Sequence, residues 1–293
     1  MSVMTHIEPP RPATPAQTPG LLRFSGPDAV SFLQGQVTHD VGLLEDGRTM
    51  LAACNSPQGR VIAVLRLRQA TDAIYAVAPV DLVPALRDRL RRYVLRAKVQ
   101  IEIDTRALMP RDALQSVEAH AGPAFDWAPD RVLLATGDRA LAATADSSDA
   151  GRVAAESGAA IWERWQLSDI ARGLPQVSAA ASGQFVAQML NLDLLDAISF
   201  TKGCYTGQEI IARTHNLGRI KRRLLRYAVA DGSPPPPMTA LHRDGTKVAE
   251  VLMSARSGAG SELLAVTSLD ARDRPLALDD GRVAAPLPLP YPV

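Results

Sequence analysis

The 293-residue chain is short of cysteine and of net charge, and each shortage removes a class of protein. Two cysteines, Cys54 and Cys204, are too few for a disulfide framework and suit a reducing compartment. They are also too few for this chain alone to hold a tetra-thiolate iron–sulfur cluster. The five histidines, His6, His39, His120, His215 and His242, fall at no metal-ligand spacing, so no resident metal is expected. With 32 Lys+Arg against 31 Asp+Glu, the formal net charge is +1. Bulk electrostatics therefore give no case for direct nucleic-acid binding or for a membrane surface, and only local patches remain. No apolar signal region and no membrane-length apolar run occur, which gives the expectation of a cytoplasmic protein without a membrane partner. A phosphate-binding loop of the Walker type is missing, as is any ordered nucleophile–His–acid set.

What is present is a core-forming composition, 46% hydrophobic against 22% charged, enough for about two domains or one composite one. Residues 1–19 carry Pro9, Pro10, Pro12, Pro15 and Pro19 with little apolar periodicity, and are expected to form a flexible leader. A strand over residues 21–24 leads through Ser25-Gly26-Pro27-Asp28 into a helix with Ala29, Phe32 and Leu33 on one face and Gly35 at its end. A meander follows: residues 49–54 and 60–68 flank the turn Asn55-Ser56-Pro57-Gln58-Gly59, and residues 73–78 add a third strand. Residues 80–95 read as a helix burying Leu86, Leu90, Tyr93 and Val94, with arginines on its other face. A strand over 99–103, a hairpin beginning at 131–136 and a helix over 162–172 closed by Gly173 complete an α+β region spanning 20–223. From residue 224 onward, short strands separated by Pro234–Pro237, Asp244-Gly245 and Ser257-Gly258-Ala259-Gly260 predict a small antiparallel barrel over 224–293.

The chemistry concentrates between Ile198 and Arg223. Ile198-Ser199-Phe200 reads as a strand end, Gly203 as a tight turn, and Thr206 with Glu209 as a capping box opening a helix through His215. Cys204 then sits just ahead of a helix N-terminus and two residues from Lys202, the setting in which cysteines become reactive. A buried cysteine packing as a small hydrophobe is the commoner fate, and it suits Cys54; the polar neighbours Lys202, Thr206 and Gln208 favour a functional thiol at Cys204. Glu209 is explained by capping alone. Arg213, Arg219, Lys221, Arg222 and Arg223 read mostly as a solvated face, with Arg213 the best placed for ligand carboxylates because it shares a helix with Gln208. Trp162 and Trp165 lie one helical turn apart; such a pair is usually core, but one indole could face a flat heteroaromatic ring.

Phe32-Leu33-Gln34-Gly35-Gln36-Val37-Thr38-His39-Asp40, Leu90-Arg91-Arg92-Tyr93-Val94, Gly173-Leu174-Pro175 and above all Lys202-Gly203-Cys204-Tyr205-Thr206-Gly207-Gln208-Glu209 occur in this order. Together they resemble the YgfZ-type folate-binding family, related to the glycine-cleavage T-protein. The resemblance implies two interleaved α+β units and a C-terminal barrel around a central folate cavity. It implies tetrahydrofolate as ligand, with Trp165, Tyr205, Gln208 and Arg213 as contacts, and Cys204, with Lys202 beside it, as the functional thiol. It also implies iron–sulfur client enzymes or assembly factors as partners, tRNA-modifying enzymes among the clients. The competing function is a folate-dependent aminomethyl-type transferase. T-proteins carry paired aspartates where this chain has Ala63-Val64, so true aminomethyl transfer is not expected. Two further departures are Ala187-Gln188 in place of Pro-Gln and Asp196-Ala197 in place of Gly-Gly.

Overall fold

The computed structural model describes residues 19–45, 49–70, 73–104, 107–112, 131–136, 139–144 and 158–293. Of the leader expected over residues 1–19, residues 1–18 lie outside the described residues, and Pro19 already belongs to the first strand. Strand β1 (Pro19–Ser25) enters helix α1 (Ala29–Gln34). Asp28 stands at its N-cap position, but its carboxylate accepts from the backbone N–H of Lys98 (2.7 Å) rather than from the helix. Strands β2 (Thr49–Asn55), β3 (Val61–Ala70) and β4 (Ala73–Pro79) form the expected meander. Helix α2 (Val83–Arg91) follows, then β5 (Gln100–Asp104). The five strands make one antiparallel sheet in the order β2-β3-β4-β1-β5.

Alternation divides that sheet into two unlike faces. Leu22, Phe24, Leu65, Leu67, Ile74 and Ala76 point into the main apolar core. Leu21, Tyr75 and Val77 point the other way, onto a smaller cluster that includes Trp165. The second face also carries Arg66, opposite Leu51 and Val77 in the ladders, and Arg68, opposite Thr49 and Tyr75.

Helix α2 is shorter than the periodicity predicts. It ends at Arg91, Tyr93 is 38% exposed, and Leu95 adopts a left-handed conformation (φ 45°) at 89% exposure. A run of arginines supplies helix propensity but no apolar stripe to bury, so the chain turns once Leu86 and Leu90 are covered.

Strands β6 (Ala107–Asp112), β7 (Arg131–Thr136) and β8 (Arg139–Thr144) form a separate antiparallel sheet in the order β6-β8-β7. Helix α3 (Gly158–Arg172) stops at Gly173, whose φ of +66° a side chain would resist; a Cβ there would also meet Tyr291 Oη at 2.5 Å. No strand forms at Ile198-Ser199-Phe200, contrary to the sequence reading: these residues lie in an irregular segment held by hydrogen bonds to a distant loop. That segment leads into helix α4 (Gln208–Leu217).

The C-terminal strands β9 (Arg222–Val229), β10 (Ala240–Arg243), β11 (Thr246–Ser257), β12 (Gly260–Ser268), β13 (Leu276–Leu278) and β14 (Val283–Leu287) close into a barrel in the order β10-β11-β12-β9-β14-β13. Tyr227, Val251, Leu263 and Ala265 fill its interior, whereas Leu224, Leu252, Leu264 and Val266 face outward into the main core. The barrel is therefore welded to the rest of the chain by the other half of its own alternation. Among the described residues, no helix is long and apolar enough to cross a membrane.

Candidate functional site

The segment bearing Cys204 is suspended from the loop that follows α1. Ser199 N–H donates to Thr38 O (2.9 Å), Thr38 Oγ1 donates to Ala197 O (2.6 Å), and Thr206 N–H donates to Gly35 O (3.1 Å). The strongest anchor is Lys202. Its stem is buried, and its ammonium donates to the backbone carbonyls of Val37 (2.8 Å) and His39 (2.7 Å). It also lies 4.9 Å from the centre of the Tyr205 ring. Burial lowers the lysine from 10.5 to about 8, with the Asp40 carboxylate opposing the shift. Asp40 is itself fixed, accepting from Gln34 Nε2 (2.8 Å) and from Gly42 N–H (3.0 Å).

Cys204 is exposed on this suspended segment. The ammonium expected beside it is spent on the carbonyls beneath, and the helix begins only at Gln208, with Gly207 as its cap. The predicted capping box is not made. Gly207 caps in a left-handed conformation (φ 82°), and Thr206 Oγ1 turns to Gly35 O (3.5 Å) instead of the helix. The left-handed turn belongs to Gly207 rather than to Gly203. A Cβ at Gly207 would meet Ser56 O at 2.6 Å, and one at Gly59 would meet Ile210 Cβ at 2.6 Å, so the start of α4 locks onto the β2–β3 turn through two glycines.

The other residues singled out in the sequence divide between two places. Tyr205 is buried in the main core, where burial pushes its phenol up to about 12 and its hydroxyl finds no hydrogen-bond partner. Gln208 folds back so that its Oε1 accepts from Tyr205 N–H (3.4 Å). Arg213 is exposed on α4. Trp165 lies instead in the smaller cluster on the opposite sheet face, edge-on to Trp162 (6.4 Å, 70°), with the Arg66 guanidinium 5.9 Å from its ring centre. Arg66 is ion-paired with fully buried Asp169 (2.8 Å), whose Oδ2 also accepts from Gln176 Nε2 (2.9 Å). Beside this triad lies a cavity of about 10 Å³ lined by Leu51, Val64, Arg66, Val77, Pro175 and Gln176, room for about one water.

Sequence reasoning missed Arg66, Asp169 and Gln176, and it missed that the two motif blocks touch. Arg66 and Asp169 carry a readable signal: an arginine inside an apolar strand, and an aspartate on the same helix as both tryptophans. Val64, where a T-protein acid was expected to be absent, lines the cavity itself. Asp196 keeps a left-handed backbone (φ 52°) where the resemblance led to the expectation of glycine, a conformation aspartate tolerates better than most residues. Cys54 is 2% exposed, and burial pushes its thiol up to about 11 against the pull of Arg89. No group of three His, Cys, Asp or Glu side chains is placed to hold a metal among the described residues.

No protein-family model matches the chain. The tRNA-modifying protein YgfZ of Klebsiella pneumoniae (strain 342) is 31% identical over 246 residues, 75% of each chain. That of Serratia proteamaculans (strain 568) is 29% identical over 296 residues, 92% of this chain and 89% of its own length. Among solved structures, the glycine cleavage system aminomethyltransferase T of Bartonella henselae superposes with a TM-score of 0.68 over 93% of this chain and 83% of its own, at 15% identity, a likeness of fold alone. On the strength of the sequence relatives, the chain belongs to the YgfZ family of tRNA-modifying proteins, on a T-protein-like fold.

Proposed function

We propose that this protein is a tetrahydrofolate-binding accessory factor that supports assembly or repair of iron–sulfur enzymes, tRNA-modifying ones among them, through Cys204. One observation carries the reading: a buried lysine and a set of backbone hydrogen bonds hold an otherwise irregular segment in place, and what that segment presents to solvent is a thiol. Desolvating an ammonium costs several kcal/mol before its hydrogen bonds return any of it, an expense that a mere surface loop does not require. Its partners on this reading are iron–sulfur client enzymes or their assembly factors.

The folate part rests on the Trp165 face. A buried carboxylate, a guanidinium and a carboxamide beside an indole supply the acceptors, donors and flat surface that a pterin uses. The chemistry fits, but a 10 Å³ cavity does not admit a ring, so binding on this reading displaces the Pro175-Gln176 wall. Apolar Val64 at that wall offers no acid to the folate nitrogen, which speaks against the aminomethyl-transfer alternative.

Titrating tetrahydrofolate against intrinsic tryptophan fluorescence tests the ligand. Saturable quenching that Trp165→Phe removes supports the assignment; a flat titration of the folded wild type overturns it.

A further inference from the structure

We propose that the exposed surface formed by Phe200, His215 and the residues that follow α4 binds single-stranded nucleic acid, with the Phe200–His215 pair as a platform for a base and Arg219 and Lys221 as contacts for its phosphates. The two rings are stacked, centroids 3.9 Å apart at 21°, and both residues are exposed, Phe200 at 38%. A single exposed phenylalanine is ordinary. A phenylalanine and an imidazole that leave the core and stack on one another form a flat π-surface at the protein's exterior.

The cations that follow the stack in sequence are treated unlike their neighbours. Arg222, Arg223 and Arg226, which enter the barrel, are each bonded to a carboxylate: Glu250 (3.3 Å), Asp193 (2.9 Å) and Glu262 (2.9 Å). The side chains of Arg213, Arg219 and Lys221 are exposed and make no hydrogen bond or ion pair among the described residues. Along 200–221 the exposed charges are these three and Glu209, a local excess of positive charge in a chain that is otherwise near neutral. The other residues described as exposed in the segment are small or polar, Thr201, Gly203, Cys204, Asn216 and Gly218, and do not by themselves supply the contiguous apolar area that a lipid or a hydrophobic protein partner needs. A flat π-surface flanked by unneutralised cations suits a strand that alternates rings with phosphates. The inference is independent of folate binding at Trp165.

Fluorescence anisotropy of the full chain with a labelled single-stranded RNA of about ten nucleotides tests it. With two phosphate contacts, log affinity should fall against log salt with a slope of about −1.4, and Arg219→Gln or Lys221→Gln should each reduce that slope by about 0.7. Phe200→Leu, which keeps apolar bulk but removes the ring, and His215→Ala should each weaken binding about tenfold with the slope retained. Arg92→Gln, an exposed arginine at the end of α2, should change neither, and a fully paired duplex should bind less tightly than the single strand. The inference is overturned by absence of binding at about 10⁻⁴ M protein in low salt. It is also overturned by folded Phe200→Leu and His215→Ala variants that bind like wild type, which leaves only diffuse charge. Displacement of the RNA by tetrahydrofolate overturns it too, since the face would then belong to folate.

Discussion

The two thiols of this protein occupy opposite extremes, and the chain invests in them differently. Cys54 is one residue of a strand: it sits on β2, pairs across a bridge with Val37, and is 2% exposed among the residues of the main core. The Arg89 guanidinium draws its thiol toward ionisation, but burial outweighs it and makes Cys54 a poor nucleophile. Cys204 sits on no regular element, so its position depends on Lys202, Thr206, Ser199 and Gly207, none of which would be needed to build a core. Val37 belongs to both arrangements, its backbone pairing with Cys54 and its carbonyl taking the Lys202 ammonium. The buried thiol is a product of packing. The exposed one is a product of anchoring, and anchors can be removed one at a time.

The largest expected effect comes from Gly207→Ala. A side chain there must adopt φ near +82° and drive a Cβ to within 2.6 Å of Ser56 O, so stability should fall by about 2–4 kcal/mol in urea denaturation. A variant as stable as wild type would show that the α4 start is not locked to the β2–β3 turn.

Lys202→Met is next. It keeps the apolar stem and leaves two carbonyls unpaired, for a loss of about 1–3 kcal/mol. The sign of its pH dependence is fixed. In the folded protein the lysine loses its proton near 8, but when unfolded only near 10.5, so between these values the unfolded chain binds more protons. Wild type should therefore gain stability relative to Lys202→Met as pH rises from about 8 to 10, and the difference should be flat below 8. Above pH 10 the buried Tyr205 phenol, raised to about 12, works in the opposite direction, so the comparison is read below that point. A difference that does not change across this window would place the ammonium in water.

A smaller effect separates the thiols themselves. Cys54→Ser introduces a hydroxyl into the core and should cost about 1–3 kcal/mol, whereas Cys204→Ser should fall within about 0.5 kcal/mol of wild type. Iodoacetamide should modify Cys204 in the native protein and Cys54 only after unfolding.

Much of this architecture is legible in the residues. The barrel follows from alternating runs cut by Pro234–Pro237 and Asp244-Gly245, and Gly173 ends α3 as a glycine after an amphipathic helix should. The illegible parts share one cause, in that long-range partners outbid local ones. Thr206 with Glu209 has capping spacing, yet Gly35 O claims the threonine. Ile198-Ser199-Phe200 has strand propensity, yet its backbone bonds to Thr38. Lys202 is two residues from Cys204 in sequence, but its ammonium is directed beneath the segment, to carbonyls some 165 residues earlier. Local pattern shows that the segment is special without showing which way its side chains turn.

The central claim is that the anchored thiol, and not the fold around it, is what the protein supplies. Its direct test is the activity of an iron–sulfur, tRNA-modifying enzyme in cells whose own copy of this protein is replaced by Cys204→Ser, measured beside the thermal stability of the purified variant. The account predicts activity near that of cells lacking the protein, with an unchanged melting temperature. Full activity in the Cys204→Ser cells, or a loss explained by an unfolded variant, would contradict it.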